Sequence, residues 1–351
     1  MTHKQLIKSF SLFGQWLQKP DGQLTNFIQS ASNYNPWFTP ANTLKAITAF
    51  GAMLTENDLQ KWVLSWDMDL ASQNEESSNL KNQSLKPKKI GLVLAGNIPM
   101  VGLHDILCVL ASGNIALIKL SSQDQKLIPY VLQKLIEIEH NFKNQLVFVD
   151  RLKDFEAVIA TGSNNTSRYF EYYFSKVPHI IRKNRNSIAI LTGFETSNQL
   201  KALGNDIFDF FGLGCRNVSK LYVPNGYNFN LFFESIEEYK TIADHHKYNN
   251  NYDYNKSIFL VNMDKHLDNG FLLLKNDTRI ASPLAVLYFE EYLDKNSLNQ
   301  IIGPLENQIQ CVVTGSEITL FNHQVDFGQS QHPKLWDYAD NVNTMEFLHN
   351  I

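Results

Sequence analysis

The chain has 351 residues, of which 44% are hydrophobic and 19% charged, so it can build more than one apolar core and is not disordered. Its net charge of −4 at pH 7 argues against a nucleic-acid-binding protein, which would carry clustered Lys and Arg. No apolar run reaches the roughly 18–20 residues of a membrane span, and neither a signal peptide nor a metal-binding cluster is recognisable. We therefore expect a cytoplasmic protein with no metal site.

Residues 1–88 are predicted to form an N-terminal helical region and a linker. The run L-I-K-S-F-S-L-F-G-Q-W-L has helical spacing, and T-L-K-A-I-T-A-F-G-A-M-L resumes it after Pro36 and Pro40. The polar, Ser- and Asn-rich stretch 71–88 is predicted to be a surface connection.

From residue 89 onward, short apolar runs alternate with helical patterns. K-I-G-L-V-L-A-G is typical of a buried parallel strand, and the next segment has helical spacing with Pro99 at its first position. Further strands are predicted at 113–120, 145–150, 156–163 and 187–192, and helices at 124–140, with a kink at Pro129, and at 165–174. This alternation indicates a doubly wound parallel sheet.

The second half continues the same pattern less regularly. Helices are predicted at 199–211 and 229–242, and strands at 220–224, 283–289 and 310–315. The polar and aromatic stretch 244–256 is predicted to be an exposed loop.

Three strand ends carry residues that suit ligand binding. Asn97 follows the first strand in A-G-N-I-P, Lys119 ends A-L-I-K, and Gly162 and Ser163 close A-T-G-S. Open α/β sheets bind ligands at the carboxyl ends of their strands, and main-chain N–H groups at a helix start can hold a phosphate. None of these segments is a G-x-G-x-x-G or Walker loop. The plainer alternatives are helix caps and a solvated lysine.

Cys215 stands in the segment G-L-G-C-R-N-V-S rather than in an apolar run. The two nearby glycines allow unusual backbone angles, and Arg216 with a turn or helix start would favour the thiolate that a nucleophile requires. The alternative is a small residue that fills a tight turn. Cys108 and Cys311 lie in apolar segments and are predicted to be core residues.

Four of these segments occur in an order that resembles the aldehyde dehydrogenase superfamily: A-G-N-I-P, G-N-I-A-L-I-K-L-S-S, A-T-G-S and G-L-G-C-R-N-V-S-K-L-Y-V-P. More closely, the chain resembles the LuxC-like acyl-CoA reductase family. The ending of this chain, F-G-Q-S-Q-H-P-K-L-W-D-Y-A-D-N-V-N-T-M-E-F-L, also resembles the C-terminal segment of that family. The resemblance implies an aldehyde dehydrogenase-like α/β fold with two doubly wound parallel-sheet domains. We divide the chain into a helical region and linker at 1–88, a dinucleotide-binding domain at 89–195, a catalytic domain at 196–326 and a C-terminal segment at 327–351.

The resemblance also implies a role for each residue that matches a family segment. Cys215 would be the acyl-accepting nucleophile, and Asn97 would stabilise the oxyanion together with the main-chain N–H of Cys215. Lys119 would contact the adenosine ribose, while Gly162 and Ser163 would contact the pyrophosphate.

Three departures from the family pattern refine this expectation. The base that activates water in E-L-G-G is missing from S-I-A-I-L-T-G-F-E, where Glu195 is out of register, and this favours reduction over hydrolysis. The acid that would bind the ribose hydroxyls of NAD is missing from K-L-S-S-Q, so NADPH is expected, with NADH as the alternative. Arg279, in R-I-A-S-P, stands where a glutamate would hold the nicotinamide ribose, and no role is carried over to it.

These residues and the resemblance predict an NAD(P)H-dependent acyl-CoA reductase that yields an aldehyde through an acyl-cysteine. The alternatives are an aldehyde dehydrogenase that oxidises aldehydes and a catalytically lapsed copy that serves as a binding or scaffold subunit. The expected partners are an acyl-CoA or another acyl donor, an acyl-activating partner protein and further copies of the same chain. No nucleic acid and no membrane span are expected.

Overall fold

The computed structural model describes residues 1–73, 86–162, 164–315 and 324–351. The chain divides into two compact units, the first formed by Met1–Lys183 and His332–Ile351 and the second by Asn184–Gln331. The helical N-terminal region thus belongs to the same unit as the first sheet. Among the described helices, none is both long and apolar enough to cross a membrane.

Four α-helices are described before the first strand, and they confirm the predicted N-terminal helical segment. The described helices are α1 (His3–Gln18), α2 (Gly22–Ser30), α3 (Pro40–Met53), α4 (Glu56–Gln73), α5 (Leu103–Ala111), α6 (Leu127–Ile138), α7 (Asn164–Phe174), α8 (Ser197–Phe208), α9 (Asn230–Ile236), α10 (His246–Val261), α11 (Lys295–Ile302) and α12 (Thr344–His349). The described strands are β1 (Lys89–Val93), β2 (Ile115–Lys119), β3 (Leu146–Phe148), β4 (Ala157–Thr161), β5 (His179–Arg182), β6 (Asn186–Ile190), β7 (Val218–Pro224), β8 (Leu267–Asp268), β9 (Leu273–Asn276), β10 (Val286–Tyr292), β11 (Ile309–Val313) and β12 (Gln324–Val325).

The first unit contains a five-stranded parallel sheet in the order β3-β2-β1-β4-β5. The inner positions of β1 and β2 are buried without alternation, as expected for strands that are covered on both faces. Because β1 lies between β2 and β4, the chain passes from one half of the sheet to the other there. The carboxyl ends of β1 and β4 therefore form the topological switch point, where open α/β sheets bind ligands.

The second unit contains a seven-stranded sheet in the order β12-β11-β6-β7-β10-β9-β8. All neighbouring strands are parallel except β8 and β9. Ala189 and Leu191 pack into a core with α8 and α9, whereas Ile188 and Ile190 pack into a second core with α11. Alternate residues of β6 thus face opposite covered sides of the sheet. The two parallel-sheet units predicted from the sequence are confirmed.

The run at 187–192, placed by the sequence analysis in the dinucleotide-binding domain, forms β6 of the second sheet. It pairs with β7 and β11, so the observed division falls after Lys183 rather than after residue 195. The C-terminal segment likewise joins the first unit at His332 instead of standing apart from residue 327. An apolar run specifies a strand, but its sheet depends on partners elsewhere in the chain.

The prediction of an exposed loop at 244–256 is wrong, because most of this stretch belongs to helix α10. Tyr248, Tyr252, Asn255 and Phe259 recur at helical spacing and are buried. The Tyr248 hydroxyl donates to the carbonyl of Phe271 at 3.0 Å. Burial of this tyrosine-lined face outweighs the low helix propensity of the asparagines between them.

Both proline-based details of the predicted helices are also wrong. Helix α5 begins at Leu103 rather than Pro99, since Met100 and Gly102 have φ angles of 69° and 84° and turn the chain before the helix starts. Pro129 lies in the first turn of α6, where its missing N–H has no intrahelical partner to lose, so it fits the helix without the predicted kink.

A buried ion pair holds the C-terminal segment within the first unit. Arg182, at the end of β5, pairs with Asp105 of α5 at 2.6 Å, and their side chains are only 4% and 10% exposed. The same guanidinium donates to the Thr344 hydroxyl at 3.0 Å and to the carbonyl of Ala339. One cation thus joins β5, α5 and the C-terminal segment.

We expect Asp105→Ala to lower the free energy of unfolding by about 3–5 kcal/mol, because it leaves the buried Arg182 without its carboxylate. Lys183→Ala is the matched control, since its pair with Glu171 is exposed and contributes little. Urea unfolding followed by circular dichroism measures both variants. Equal losses in the two would contradict the anchoring role of the buried pair.

Candidate active site

Three of the predicted binding residues lie at one edge of the first sheet. Asn97 follows β1, Lys119 ends β2 and Gly162 follows β4, and β1 pairs with both of the other strands. All three residues are half-buried. Ser163, the fourth predicted residue, lies outside the described residues. The edge that gathers the other three is the one expected to bind a ligand.

Asn97 does not cap a helix, which removes the plainer interpretation of this residue. The N-cap position of α5 belongs to Gly102, and Asn97 lies in the preceding bend. Its position at the end of β1 therefore needs another explanation than helix capping.

Gly162 allows the start of α7 to lie close to the end of β4. Its N–H donates to the carbonyl of Arg182 at 3.3 Å, as part of the sheet edge. A Cβ added here would lie 2.9 Å from a ring carbon of Phe170 and 3.1 Å from Cβ of Thr166, so any side chain would push the helix away. The glycine thus brings a helix N-terminus, which favours anions, to the ligand-binding edge.

The loop after β2 carries one acid, Asp124, and its carboxylate faces inward. Asp124 is 3% exposed, and its Oδ1 accepts a hydrogen bond from the N–H of Leu127 at 2.9 Å. Burial raises the pKa of this carboxyl above its ordinary value. The exposed residues of the loop are Ser122, Gln123, Gln125 and Lys126. This loop presents no carboxylate to a ligand.

In the second unit, the chain enters the cysteine turn through three left-handed residues. Phe210, Phe211 and Gly212 have φ angles of 52°, 60° and 76°. This conformation is strained for phenylalanine and persists only where the surroundings enforce it. Both phenylalanine side chains are buried, so the packing of the unit fixes the path toward Cys215.

The side chain of Asn217 organises the turn itself. Its Oδ1 accepts a hydrogen bond from the N–H of Gly214 at 2.9 Å, and its Nδ2 donates to the carbonyls of Asp209 at 2.8 Å and Asp206 at 3.1 Å. Asn217 is 2% exposed, so these bonds form away from water. One amide therefore joins the end of α8, the strained segment and the cysteine turn.

The two peptide groups that flank Cys215 have fixed orientations. The carbonyl of Gly214 accepts from the N–H of Asn217 at 3.1 Å, and the carbonyl of Cys215 accepts from the Ser187 hydroxyl at 3.0 Å. Because the C=O and N–H of a trans peptide point in opposite directions, the N–H of Cys215 points away from Asn217. Its direction is thus set before any ligand binds.

Cys215 is exposed, whereas Cys108 and Cys311 are buried, as predicted for core residues. Burial raises the pKa of the Cys311 thiol to about 11 and raises that of Cys108 well above its usual range. Since the thiolate is the reactive form, these two cysteines are poor nucleophiles.

Glu195, the acid closest to the position of the missing base, is engaged in its own turn. Its carboxylate accepts hydrogen bonds from the N–H of Thr192 at 2.6 Å, the hydroxyl of Thr192 at 2.7 Å and the N–H of Gly193 at 3.0 Å. These bonds hold the loop after β6 and occupy the oxygens that a base would use.

Arg279 is paired rather than directed at a ligand. It donates from Nε and Nη2 to the two oxygens of Asp277 at 2.8 and 2.5 Å, and its guanidinium lies 5.1 Å from the ring centre of Tyr288. The hydrogen bonds from Arg279 lower the pKa of Asp277 to about 2. The charge of Arg279 is therefore neutralised locally.

Sequence reasoning missed the three polar residues that fix the cysteine region. These residues are Asn217, Ser187 and Asp206. The Asp206 carboxylate accepts hydrogen bonds from the N–H groups of Gly328 at 2.6 Å and Ser330 at 2.9 Å. Burial raises the pKa of Asp206 to about 6. The available signal for Asn217 was its place two residues after the cysteine, in a segment that turns directly into an apolar strand.

A family model described as Acyl-CoA reductase (LuxC) matches residues 48–224. No curated protein gives a significant match.

Solved structures show which fold the chain shares. An oxidoreductase from Marinobacter aquaeolei is similar over 95% of this chain and 79% of its own, with 10% identity and a TM-score of 0.67. An NADP-dependent enzyme from E. coli is similar over 93% and 78%, with 11% identity and a TM-score of 0.65. The aldehyde dehydrogenase KauB from Pseudomonas aeruginosa is similar over 91% and 73%, with 12% identity and a TM-score of 0.63. These likenesses confirm the aldehyde dehydrogenase-like fold.

We expect iodoacetamide to alkylate Cys215 of the native protein at neutral pH and to spare Cys108 and Cys311, because both of those thiols are buried and hard to ionise. Peptide mass spectrometry locates the label. Cys215→Ser is expected to abolish labelling of the native protein, and Cys108→Ala to leave it unchanged. Modification of Cys311 at a rate similar to that of Cys215 would contradict the assignment.

We expect Asn217→Ala to destabilise the second unit by about 1–3 kcal/mol, because it removes buried donors from main-chain carbonyls. It is also expected to change the rate at which iodoacetamide modifies Cys215, since the turn loses its internal bonds. Asn225→Ala, at an exposed position after β7, is the matched control. Urea unfolding and alkylation kinetics measure the two effects. An Asn217 variant that behaves like the Asn225 variant would exclude this role.

Proposed function

Because the chain belongs to the LuxC family of acyl-CoA reductases, we propose that it reduces an acyl-CoA thioester to an aldehyde through an acyl-enzyme on Cys215. Family and fold make the protein an oxidoreductase that acts on aldehyde or acyl groups. The observation that carries the finer proposal is the exposed Cys215 thiol, held on a turn whose main-chain groups are fixed by buried Asn217 and Ser187.

The reaction divides into two steps at this sulfur. The Cys215 thiolate attacks the thioester carbonyl, a new carbon–sulfur bond forms, and coenzyme A leaves as its thiol after taking a proton. When bound, the nicotinamide supplies the hydride that reduces the acyl group. The carbon–sulfur bond to Cys215 then breaks, which releases the aldehyde and restores the thiolate.

Negative charge develops on the carbonyl oxygen in both steps, and fixed donors are needed where it appears. We assign this task to the Asn97 side chain and the main-chain N–H of Cys215. The position of Asn97 after β1, where it caps no helix, supports its part. The fixed peptide orientation at Cys215 supports the other donor.

The edge of the first sheet suits a dinucleotide. Lys119 supplies a positive charge at the end of β2, and Gly162 brings the start of α7 to the end of β4. In this proposal Lys119 contacts the adenosine ribose, and Gly162 with Ser163 contacts the pyrophosphate. Similar solved structures include a betaine aldehyde dehydrogenase from Staphylococcus aureus in complex with NAD⁺ and the NADP-dependent enzyme from E. coli.

We favour NADPH over NADH because of the loop after β2. Its acid, Asp124, is buried and bonded to Leu127, so it does not repel a 2′-phosphate. The exposed side chain of Lys126 adds a positive charge to the same loop. A loop built for NAD would instead present a carboxylate to the ribose hydroxyls.

Glu195 favours reduction over oxidation of aldehydes. An aldehyde oxidiser needs a base that activates water against the acyl-enzyme, and the Glu195 carboxylate already accepts hydrogen bonds from Thr192 and Gly193. Reduction requires no such base.

The test follows NADPH oxidation at 340 nm against acyl-CoAs from acetyl to palmitoyl, with NADH in parallel. We expect acyl-CoA-dependent oxidation that falls by more than about 10³-fold in Cys215→Ala, since the variant cannot form the acyl-enzyme. Cys108→Ala is the control and is expected to keep activity.

Full turnover by Cys215→Ala would overturn the mechanism. Aldehyde-dependent reduction of NADP⁺ without coenzyme A would instead support an oxidising enzyme. Cofactor binding without turnover of any acyl-CoA would point to a carrier-bound donor or an acyl-activating partner protein.

A further inference from the structure

One buried amide joins the N-terminal helical region to the loops that follow β1 and β2. Asn35 is 5% exposed, and its Nδ2 donates to the carbonyl of Gly96 at 3.3 Å and to the carbonyl of Gln123 at 3.2 Å. Its Oδ1 accepts from the N–H of Trp37 at 3.0 Å. The amide group thus donates hydrogen bonds to two loops that are distant in sequence.

We propose that Asn35 is a positioning residue that fixes these two loops for dinucleotide binding and for the placement of Asn97. This inference rests on the proposed function, which assigns Asn97 and Lys119 to the same edge of the sheet. It gives the first helices, which contain none of the four sequence segments that resemble the aldehyde dehydrogenase superfamily, a part in building the site.

The donor itself is held rigidly. The N–H of Asn35 donates to the carbonyl of Ala31 at 3.2 Å, and its carbonyl accepts from the N–H of Phe38 at 2.8 Å. Phe38 is fully buried, and the ring of the half-buried Tyr34 packs against it with 6.4 Å between the ring centres. A fixed donor transmits its position to the groups that it bonds.

The two loops also touch each other at the same place. A Cβ added to Gly96 would lie 2.9 Å from the Ser121 hydroxyl oxygen and 3.0 Å from the main-chain nitrogen of Asp124. Glycine is therefore required for this approach, and the carbonyl of Gly96 becomes accessible to Asn35. The loop after β1 cannot shift without disturbing the loop after β2.

The bond to Gly96 acts directly on Asn97. The carbonyl of Gly96 and the N–H of Asn97 belong to one planar peptide group, so fixing one fixes the direction of the other. The bond to Gln123 acts in the same way on the loop that begins after Lys119 and carries Lys126. Asn35 thus restrains both the proposed oxyanion donor and the proposed ribose-binding loop.

The first test measures hydrogen exchange by mass spectrometry in Asn35→Ala, with Asn33→Ala, at an exposed position in the same segment, as the control. We expect exchange in peptides covering 94–98 and 121–126 to rise about tenfold or more in the Asn35 variant, while peptides covering β4 keep their rate. Unchanged exchange in both loops would overturn the proposal, whatever the protein's activity.

The second test determines whether the positions of the two loops affect NADPH binding and acyl-enzyme formation. We expect Asn35→Ala to raise the dissociation constant of NADPH about tenfold, and to slow formation of the acyl-enzyme, followed by intact mass, by a similar factor. Faster exchange with unchanged NADPH affinity and acylation would reduce Asn35 to a structural residue and overturn the positioning role.

A second variant, on the acceptor side of the contact, keeps the proposal testable if Asn35→Ala does not fold. Gly96→Ala pushes the same loops apart, and the same pattern of effects is required of it. A wild-type protein that neither forms an acyl-enzyme nor binds NADPH would refute the proposed function. The exchange experiment would then still decide whether Asn35 fixes the loops.

Discussion

Buried main-chain carbonyls in loops and at helix ends must find hydrogen-bond partners, and this constraint shapes both candidate sites. In the first unit the amide of Asn35 supplies the donors, and in the second unit the amide of Asn217 does. Asparagine suits the task because it presents two donor hydrogens and an acceptor on a short side chain. The loops after β1 and β2 and the cysteine turn are thus each bonded to a buried asparagine that has no part in the proposed chemistry.

Buried charged side chains form the hydrogen bonds that join segments more distant in sequence. The Asp206 carboxylate of α8 accepts from the main chain at Gly328 and Ser330, and Arg182 joins α5 to the segment that contains Thr344. Each charge is removed from water, which is costly unless its hydrogen bonds are satisfied. The segments that contain Gly328, Ser330 and Thr344 are therefore held in place by specific polar contacts as well as by apolar burial.

The sequence was sufficient for the sheets and for the exposed cysteine, because apolar runs and local composition report on strands and turns. It was insufficient for α10, where polar composition concealed a helix whose tyrosines recur at helical spacing. It was also insufficient for Asn35 and Asn217, whose roles depend on carbonyls that approach them only in the folded chain. Whether β6 belongs to the first or the second sheet could not be read from its own residues either.

In the proposed mechanism, the loop after β6 bears on whether the acyl-enzyme would be reduced or hydrolysed. An acyl-cysteine that awaits hydride must outlast attack by water, so a base beside it would divert the acyl group to the free acid. Glu195 directs its carboxylate to the Thr192 and Gly193 main chain and to the Thr192 hydroxyl, which gives the loop its shape and leaves the oxygens engaged. The residue that departs from the dehydrogenase pattern therefore fits the proposed reductase, in which the acyl group on Cys215 would take a hydride and leave as the aldehyde.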